Sequence, residues 1–174
     1  MCIAGCASEL PGASLITASD GAKTVLVTDS PGGNVDAFDQ AFGRWSQIPG
    51  VKVEIRHWCA SACTQLLSYF EPDRICLSPG ARVGFHSATA HRAFSPSIST
   101  ASGASTALPG TDSISTLMMF EAYPTWIQYR LSSAGVMGLG AGNPSAVISA
   151  DEFWHRGYGV CSNTTQTADA RGPA

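Results

Sequence analysis

The chain has 174 residues, of which 44% are hydrophobic and 13% are charged, so it is long enough to fill one hydrophobic core. Its formal net charge is -3 and it contains no basic cluster, which excludes the electrostatic surface that nucleic acids and anionic membranes require. No apolar run approaches the roughly 18 to 20 residues that a membrane-spanning helix needs. We therefore expect one globular domain and no nucleic-acid partner.

Residues 1–22 are predicted to form a loose lead-in, because small polar residues, Pro and Gly interrupt it everywhere except at a short strand over 14–17. Within it, the tetrapeptide Ile-Ala-Gly-Cys that ends at Cys6 is typical of the end of a bacterial lipoprotein signal. The apolar segment that should precede such a tetrapeptide is missing. We expect a periplasmic or otherwise exported protein, with a cytoplasmic one as the alternative, and membrane contact only through a lipid at Cys6.

The first regular elements follow this lead-in. A β-branched run at residues 24–28 predicts a strand, and the Ser-Pro-Gly-Gly sequence at residues 30–33 ends it in a tight turn. Apolar residues then recur at helical spacing from Val35 to Trp45. A strand, a turn and an amphipathic helix in this order make half of a βαβ unit.

The same pattern then repeats around Ser61. Alternating residues at 51–55 predict a second strand, and an apolar run predicts a helix from Ser61 to about Phe70. Ser61 lies between two alanines, so its hydroxyl is approachable at a strand-to-helix junction. The unpaired N–H groups of a helix start stabilise negative charge on a nucleophile or an oxyanion. Taken alone, however, this residue is more simply interpreted as a capping serine.

The second half of the chain predicts short strands, a polar loop and two helical regions. In chain order, we predict strands at 74–77 and 82–86, a mobile loop at 87–115, a helical region at 114–131 kinked by Pro124, a strand at 146–148, a helix with Ser149 and Glu152 as a capping box, and a polar tail at 161–174. The strand at 82–86 ends on His86.

The six cysteines form no C-x-x-C pair, so we expect no metal site, and nothing in the sequence calls for a cofactor. Cys59 and Cys63 flank Ser61, and we interpret both as buried packing residues. If a helix begins at Ser61, their Cβ atoms need not face each other as a disulfide requires. In an exported protein, one of them could instead pair with Cys76 or Cys161.

Three features now occur in order: the Ser-Pro-Gly-Gly turn, Ser61 with its small neighbours, and the strand that ends at His86. Over residues 24–159 their order and spacing resemble the proteolytic subunit of the Clp protease and its relatives in the crotonase-like superfamily. The resemblance implies an α/β fold, a ClpP/crotonase-like spiral of repeated ββα units, in a single domain over residues 23–160. Members of the family carry a strand and a helix ahead of the strand that ends in this turn, so we expect an N-terminal βα unit that is truncated or missing.

The resemblance also implies a serine peptidase. Ser61 would attack the peptide carbonyl, and His86 would take its proton and pass it to the leaving amine. The N–H group of Ala62 and that of Gly32 or Gly33 would bind the oxyanion. Because members of the family form rings or trimers, the implied partners are a peptide or protein substrate and further copies of the chain.

The sequence departs from the family at the third position of the catalytic triad. The family's aspartate aligns with Ser145, and Asn143 is the nearest residue whose side-chain carbonyl could hold the imidazole. A Ser-His dyad, a displaced acid such as Asp112, and lost activity are the alternatives. The missing aspartate supports a second function, a non-catalytic interaction module. A third and less favoured function is a crotonase-type enzyme acting on an acyl thioester, because that superfamily uses the same oxyanion hole.

Overall fold

The structure is a computed structural model that describes residues 10–87, 113–136 and 145–162. Its seven strands are β1 Ala13–Thr17, β2 Lys23–Ser30, β3 Lys52–Ala60, β4 Ile75–Leu77, β5 Arg82–His86, β6 Ser145–Ser149 and β7 Gly159–Val160. The α-helices in these ranges are α1 Val35–Ser46, α2 Leu66–Tyr69, α3 Ser113–Ala122, α4 Thr125–Ser133 and α5 Ala150–Trp154.

All seven strands belong to one sheet, in which β1, β2, β3, β4 and β7 are neighbours in that order and β5 joins β3 to β6. The pairs β2–β3, β3–β4, β3–β5 and β4–β7 are parallel, whereas β1 and β6 run antiparallel to their neighbours. Helix α1 connects the parallel strands β2 and β3, as the strand-turn-helix pattern predicted. The predicted α/β class is confirmed.

Strand β3 is shared between two parts of the sheet. Its residues 53–55 pair with β4, and its residues 58–60 pair with β5. The change of partner coincides with a register shift against β2, between Val27 and Asp29. Because such irregularities bend a strand and increase its twist, the end of β3 turns towards β5 and carries Ser61 with it.

Helix α1 forms where the sequence predicts it and packs on the sheet. Its N-cap Asn34 accepts a hydrogen bond from the Ala37 N–H at 2.9 Å, which satisfies one of the free donors at the helix start. Phe38, Ala41 and Phe42 are fully buried, as expected for residues spaced three and four apart on one helical face. Phe38 lies next to the loop that connects β2 to α1, since a Cβ added to Gly33 would be 3.6 Å from its ring.

The helical region after residue 113 is divided at Pro124, as predicted, because proline cannot continue the hydrogen-bond ladder of α3. The capping box predicted at α5 is wrong. Ser149 occupies the N-cap position but makes no side-chain capping bond, and the Glu152 carboxylate instead accepts a hydrogen bond from Arg130 of α4 at 3.3 Å. Glu152 therefore joins two helices rather than closing the end of its own.

The cysteine interpretation is also wrong. Cys59 bonds to Cys63, with their Cα atoms 5.4 Å apart, and Cys76 bonds to Cys161, with Cα atoms 4.9 Å apart. The first two are buried as predicted, yet they are bridged. No α-helix begins at Ser61; a 3-10 turn over Ser61–Gln65 precedes α2 and brings Cys63 back within reach of the strand end.

Four predictions fall on residues outside the described ranges: the lipid site at Cys6, most of the loop 87–115 with Asp112, the orienting role of Asn143, and the tail after residue 162. They stay predictions. Within the described ranges, no helix has the length and apolar character needed to cross a bilayer.

Candidate active site

Ser61 adopts a left-handed backbone conformation with φ of +55°, and it is the only described residue other than glycine with a positive φ. A side chain in this region costs of order 1–3 kcal/mol, so the surrounding structure must impose it. Ser61 is the first residue after β3 and opens the 3-10 turn that leads into α2. Strained strand-to-helix turns of this kind expose the nucleophilic serine of α/β-hydrolases.

The disulfide between Cys59 and Cys63 encloses this turn. Both cysteines are fully buried, one at the end of β3 and the other within the 3-10 turn, and Ser61 lies halfway between them in the sequence. The bridge therefore limits the conformations that are open to Ser61.

Gly32 packs directly against the Ser61 turn. It has a φ of +84°, and a Cβ atom added to it would lie 2.6 Å from both the Ala60 carbonyl oxygen and the Ser61 Cβ, and 2.8 Å from the Ala62 nitrogen. No side chain fits in that space. The structure thus brings the Ser-Pro-Gly-Gly turn and the serine together, and it does so only because residue 32 is glycine.

The N–H groups beside Ser61 can be assigned from their partners. The Gly32 N–H donates to the buried Ser30 Oγ at 3.4 Å, so Gly33 is the better candidate of the two glycines for the predicted oxyanion donor. The Ala62 N–H belongs to the first turn of the 3-10 helix, where backbone N–H groups have no partner within the helix, and no side chain caps this helix.

His86 ends β5, the parallel neighbour of β3. Ala60 is opposite Gly84 in the register, so Ser61 and His86 follow at the same end of two adjacent strands. The His86 Nδ1 lies 2.7 Å from the Ser87 carbonyl oxygen. Because a carbonyl only accepts, Nδ1 carries a proton, and in the neutral ring the lone pair that a general base needs is then on Nε2. Among the residues that the structure describes, no hydrogen bond joins the Ser61 hydroxyl to the His86 ring.

At the third triad position, Ser145 of β6 is the register partner of His86. The hydrogen bond that an aspartate would make in a triad is made here by the backbone carbonyl of Ser87. This carbonyl is held in place because Ser87 is buried and its Oγ donates to the Val136 carbonyl at 2.9 Å.

Two further residues at this site were not predicted from the sequence. The Thr64 hydroxyl donates to the Ser61 carbonyl at 2.6 Å and is 2.5 Å from the hydroxyl of Tyr123, a buried residue between α3 and α4. Burial raises the pKa of Tyr123 above its ordinary value, so its hydroxyl stays protonated. The two residues are 59 positions apart, and only the fold brings them together.

A cavity of about 350 Å³ opens between α1, α2 and α3. Its lining includes Val35, the first residue of α1, and Gln65, the last residue of the 3-10 turn, but it includes neither Ser61 nor His86. Among the residues that the structure describes, no group of three or more His, Cys, Asp or Glu is placed to hold a metal ion.

No protein-family model and no curated protein matches the chain. Among solved structures, it is similar to that of a ClpP1 point mutant from Listeria monocytogenes, with a TM-score of 0.42 and 18% sequence identity. The match covers 77% of this chain and 70% of that one. A likeness at this level carries no argument about activity, so the functional case rests on the geometry of the site.

Proposed function

We propose that this protein is a serine peptidase in which Ser61 is the nucleophile and His86 is the general base and acid. The N–H groups of Gly33 and Ala62 bind the oxyanion in this proposal. The observation that carries it is the left-handed backbone of Ser61 with Gly32 packed against it. A capping or packing serine has no need of this conformation, whereas strained residues of this kind cluster at active sites.

In the proposed reaction, Ser61 Oγ attacks the carbonyl carbon of a peptide bond while His86 Nε2 accepts its proton. The negative charge moves to the carbonyl oxygen, where the two N–H groups stabilise it. When the intermediate collapses, the C–N bond breaks and His86 gives the proton to the leaving amine. Water then hydrolyses the acyl-enzyme by the same steps.

The partner of His86 Nδ1 sets an expectation about rate. The Ser87 carbonyl fixes the tautomer and the ring orientation, but as a neutral group it stabilises the imidazolium less than an aspartate would. We therefore propose a dyad that is slower than a complete triad. Asn143 stays the candidate for an additional orienting side chain.

The alternative is a module of the same fold that binds a partner without catalysis, and the missing aspartate supports it. The strain at Ser61 favours the enzyme, because a module has no reason to retain it. No described residue specifically favours an acyl-thioester substrate.

We also propose that the protein is exported to the periplasm and forms homo-oligomers. Two disulfides within one chain are typical of an oxidising compartment. Leu117 and Met118, adjacent in α3, are 55% and 68% exposed, which is compatible with burial against another copy. Sedimentation velocity of the full chain tests the second part, and a monomer at all concentrations would contradict it.

A fluorophosphonate probe tests the enzyme proposal on the full chain, with peptide mapping of the labelled protein. We expect label on Ser61, loss of label in Ser61→Ala, and slower labelling in His86→Ala. Ser68→Ala is the matched control, because Ser68 is an exposed serine in the helix after the site.

Peptide hydrolysis is measured in parallel with a library of quenched fluorescent peptides. Hydrolysis that disappears in Ser61→Ala supports the peptidase. An unlabelled Ser61, under conditions in which a known serine hydrolase in the same tube is labelled, would favour the non-catalytic module.

A further inference from the structure

Tyr123 comes from a distant part of the chain and contacts both the turn that carries Ser61 and the strand that carries His86. It lies between α3 and α4, and its side chain is only 3% exposed. Its hydroxyl is 2.5 Å from Thr64 Oγ1. Its ring packs edge-to-face on Phe85, the residue before His86, with ring centroids 5.4 Å apart.

The direction of the hydrogen bonds follows from counting protons. A threonine hydroxyl has one proton, and that of Thr64 is donated to the Ser61 carbonyl at 2.6 Å. The bond between Thr64 and Tyr123 must therefore be donated by Tyr123. The result is a directed chain from the Tyr123 hydroxyl through Thr64 to the Ser61 carbonyl.

This series of hydrogen bonds ends at the Ser61 carbonyl, which shares a peptide group with the Ala62 N–H, the proposed oxyanion donor. The Ser61 carbonyl and the Ala62 N–H belong to the same planar unit, in which the two bonds point in opposite directions. A hydrogen bond that fixes the carbonyl therefore also fixes where the N–H points. Hydrogen bonds in series polarise one another, so the same chain strengthens the Ala62 N–H as a donor.

We propose that Tyr123 is a positioning residue, which acts through Thr64 to aim the Ala62 N–H at the oxyanion. This proposal rests on the proposed serine-hydrolase function. It also explains how the left-handed conformation of Ser61 is maintained, because the Thr64 bond holds the peptide group that follows Ser61. Through its ring, the same residue supports the strand that presents His86.

Tyr123→Phe tests the proposal, because it removes the hydroxyl and leaves the ring on Phe85. With p-nitrophenyl acetate as the substrate, we expect kcat to fall about tenfold, a part of the roughly 10²–10³-fold that the complete loss of an oxyanion donor costs. KM should change little, because the oxyanion forms only in the transition state.

Two further variants separate positioning from general damage. Thr64→Val should lower kcat to a similar extent, and the double variant should be no slower than the slower single one, because the two hydroxyls act in series. Tyr158→Phe is the matched control. Tyr158 is also buried, but its hydroxyl has no hydrogen-bond partner among the described residues, so kcat should not change.

An NMR measurement separates this proposal from the proposed function. The amide proton and nitrogen shifts of Ala62 should change in Tyr123→Phe and stay constant in Tyr158→Phe. Unchanged Ala62 shifts, or an unchanged kcat in an active protein, would overturn the positioning role. Shifted Ala62 signals in a protein whose wild type neither hydrolyses the ester nor binds the probe would instead contradict the proposed function alone.

Discussion

At the scale of single residues, the site depends on two backbone positions that ordinary side chains avoid. Ser61 has a positive φ although it carries a Cβ, and Gly32 occupies a space that no Cβ could enter. Neither feature contributes to stability by itself. In the proposed function, both serve to place the Ser61 hydroxyl beside the two N–H groups that would bind the oxyanion.

Replacement of Ser61 by glycine should therefore relieve strain. We expect Ser61→Gly to be about 1 kcal/mol more stable than Ser61→Ala in urea denaturation, because glycine adopts positive φ without a steric cost. Both variants lose the nucleophile. At Ser68, within α2, the order should be reversed, since glycine weakens a helix by about 1 kcal/mol relative to alanine. The same order at both sites would argue against strain at Ser61.

A comparison of Gly32 with Gly80 separates the cost of a positive φ from the cost of a steric clash. Their φ values are +84° and +83°, but a Cβ at Gly80 would meet nothing within 4 Å. Gly80→Ala should cost only the penalty for the conformation, about 1 kcal/mol, and should keep probe labelling. Gly32→Ala should cost roughly a further 1–3 kcal/mol and abolish labelling, because the Ser61 turn must move. Equal stability losses would show that Gly32 is not in close contact with the turn.

At the scale of secondary structure, the sequence predicted the strands and the longer helices but not the turn that matters most. A β-branched run predicted β2, hydrophobic spacing predicted α1, and Pro124 predicted the break between α3 and α4. An apolar run predicted a helix from Ser61, whereas a 3-10 turn is formed. Periodicity indicates which residues are buried, and it cannot distinguish a tight turn from the start of an α-helix where consecutive residues, here 62–67, are all buried.

The two disulfides should differ in their effects: one should matter more for the stability of the fold, and the other more for the reactivity of Ser61. From loop closure alone, the Cys76–Cys161 bridge, with a sequence separation of 85, should contribute about 4.5 kcal/mol, and the Cys59–Cys63 bridge, with a separation of 4, about 2 kcal/mol. Replacing both members of the first pair with alanine should therefore lower the urea midpoint more.

Replacing both members of the second pair should slow fluorophosphonate labelling of Ser61 more, because that bridge encloses the Ser61 turn. The two double variants are each other's controls, since each loses one bridge and leaves no unpaired thiol from it. If both slowed labelling in proportion to their loss of stability, the Cys59–Cys63 bridge would have no special role at the site.

At the scale of the whole molecule, what the sequence could not predict is long-range pairing. Motifs identified Ser61, His86 and the glycine turn because each lies within a short stretch of chain. The partner of Tyr123 is 59 residues away, and the partner of Cys76 is 85 residues away, so no local pattern contained them. The proton on His86 Nδ1 likewise depends on a backbone carbonyl, which every residue possesses and which no motif can mark.

Burial of tyrosines also sets how the stability of the molecule depends on pH. Burial is the main cause that raises the pKa values of Tyr69, Tyr123 and Tyr158. The pKa of Tyr69 is raised to about 12, and its hydrogen bond to the Asp39 carboxylate contributes to that increase. Above pH about 10, the unfolded chain loses these protons while the folded chain keeps them. The unfolded state then binds fewer protons, so the free energy of unfolding must fall as pH rises.

We therefore expect these tyrosines to have no effect on how the free energy of unfolding, measured by urea denaturation, varies with pH below about 9. Between pH about 10 and 12 they should make it decrease. For the buried Tyr123, the slope should approach about 1.4 kcal/mol per pH unit. Tyr123→Phe and Tyr69→Phe should each reduce the slope, and Tyr129→Phe should not, because Tyr129 is 77% exposed. If the slope of stability against pH were the same in all three variants, the hydroxyls of Tyr123 and Tyr69 would ionise equally in the folded and unfolded chains. Tyr123 would then not be the buried, protonated donor on which the hydrogen bonds to Thr64 and Ser61 depend.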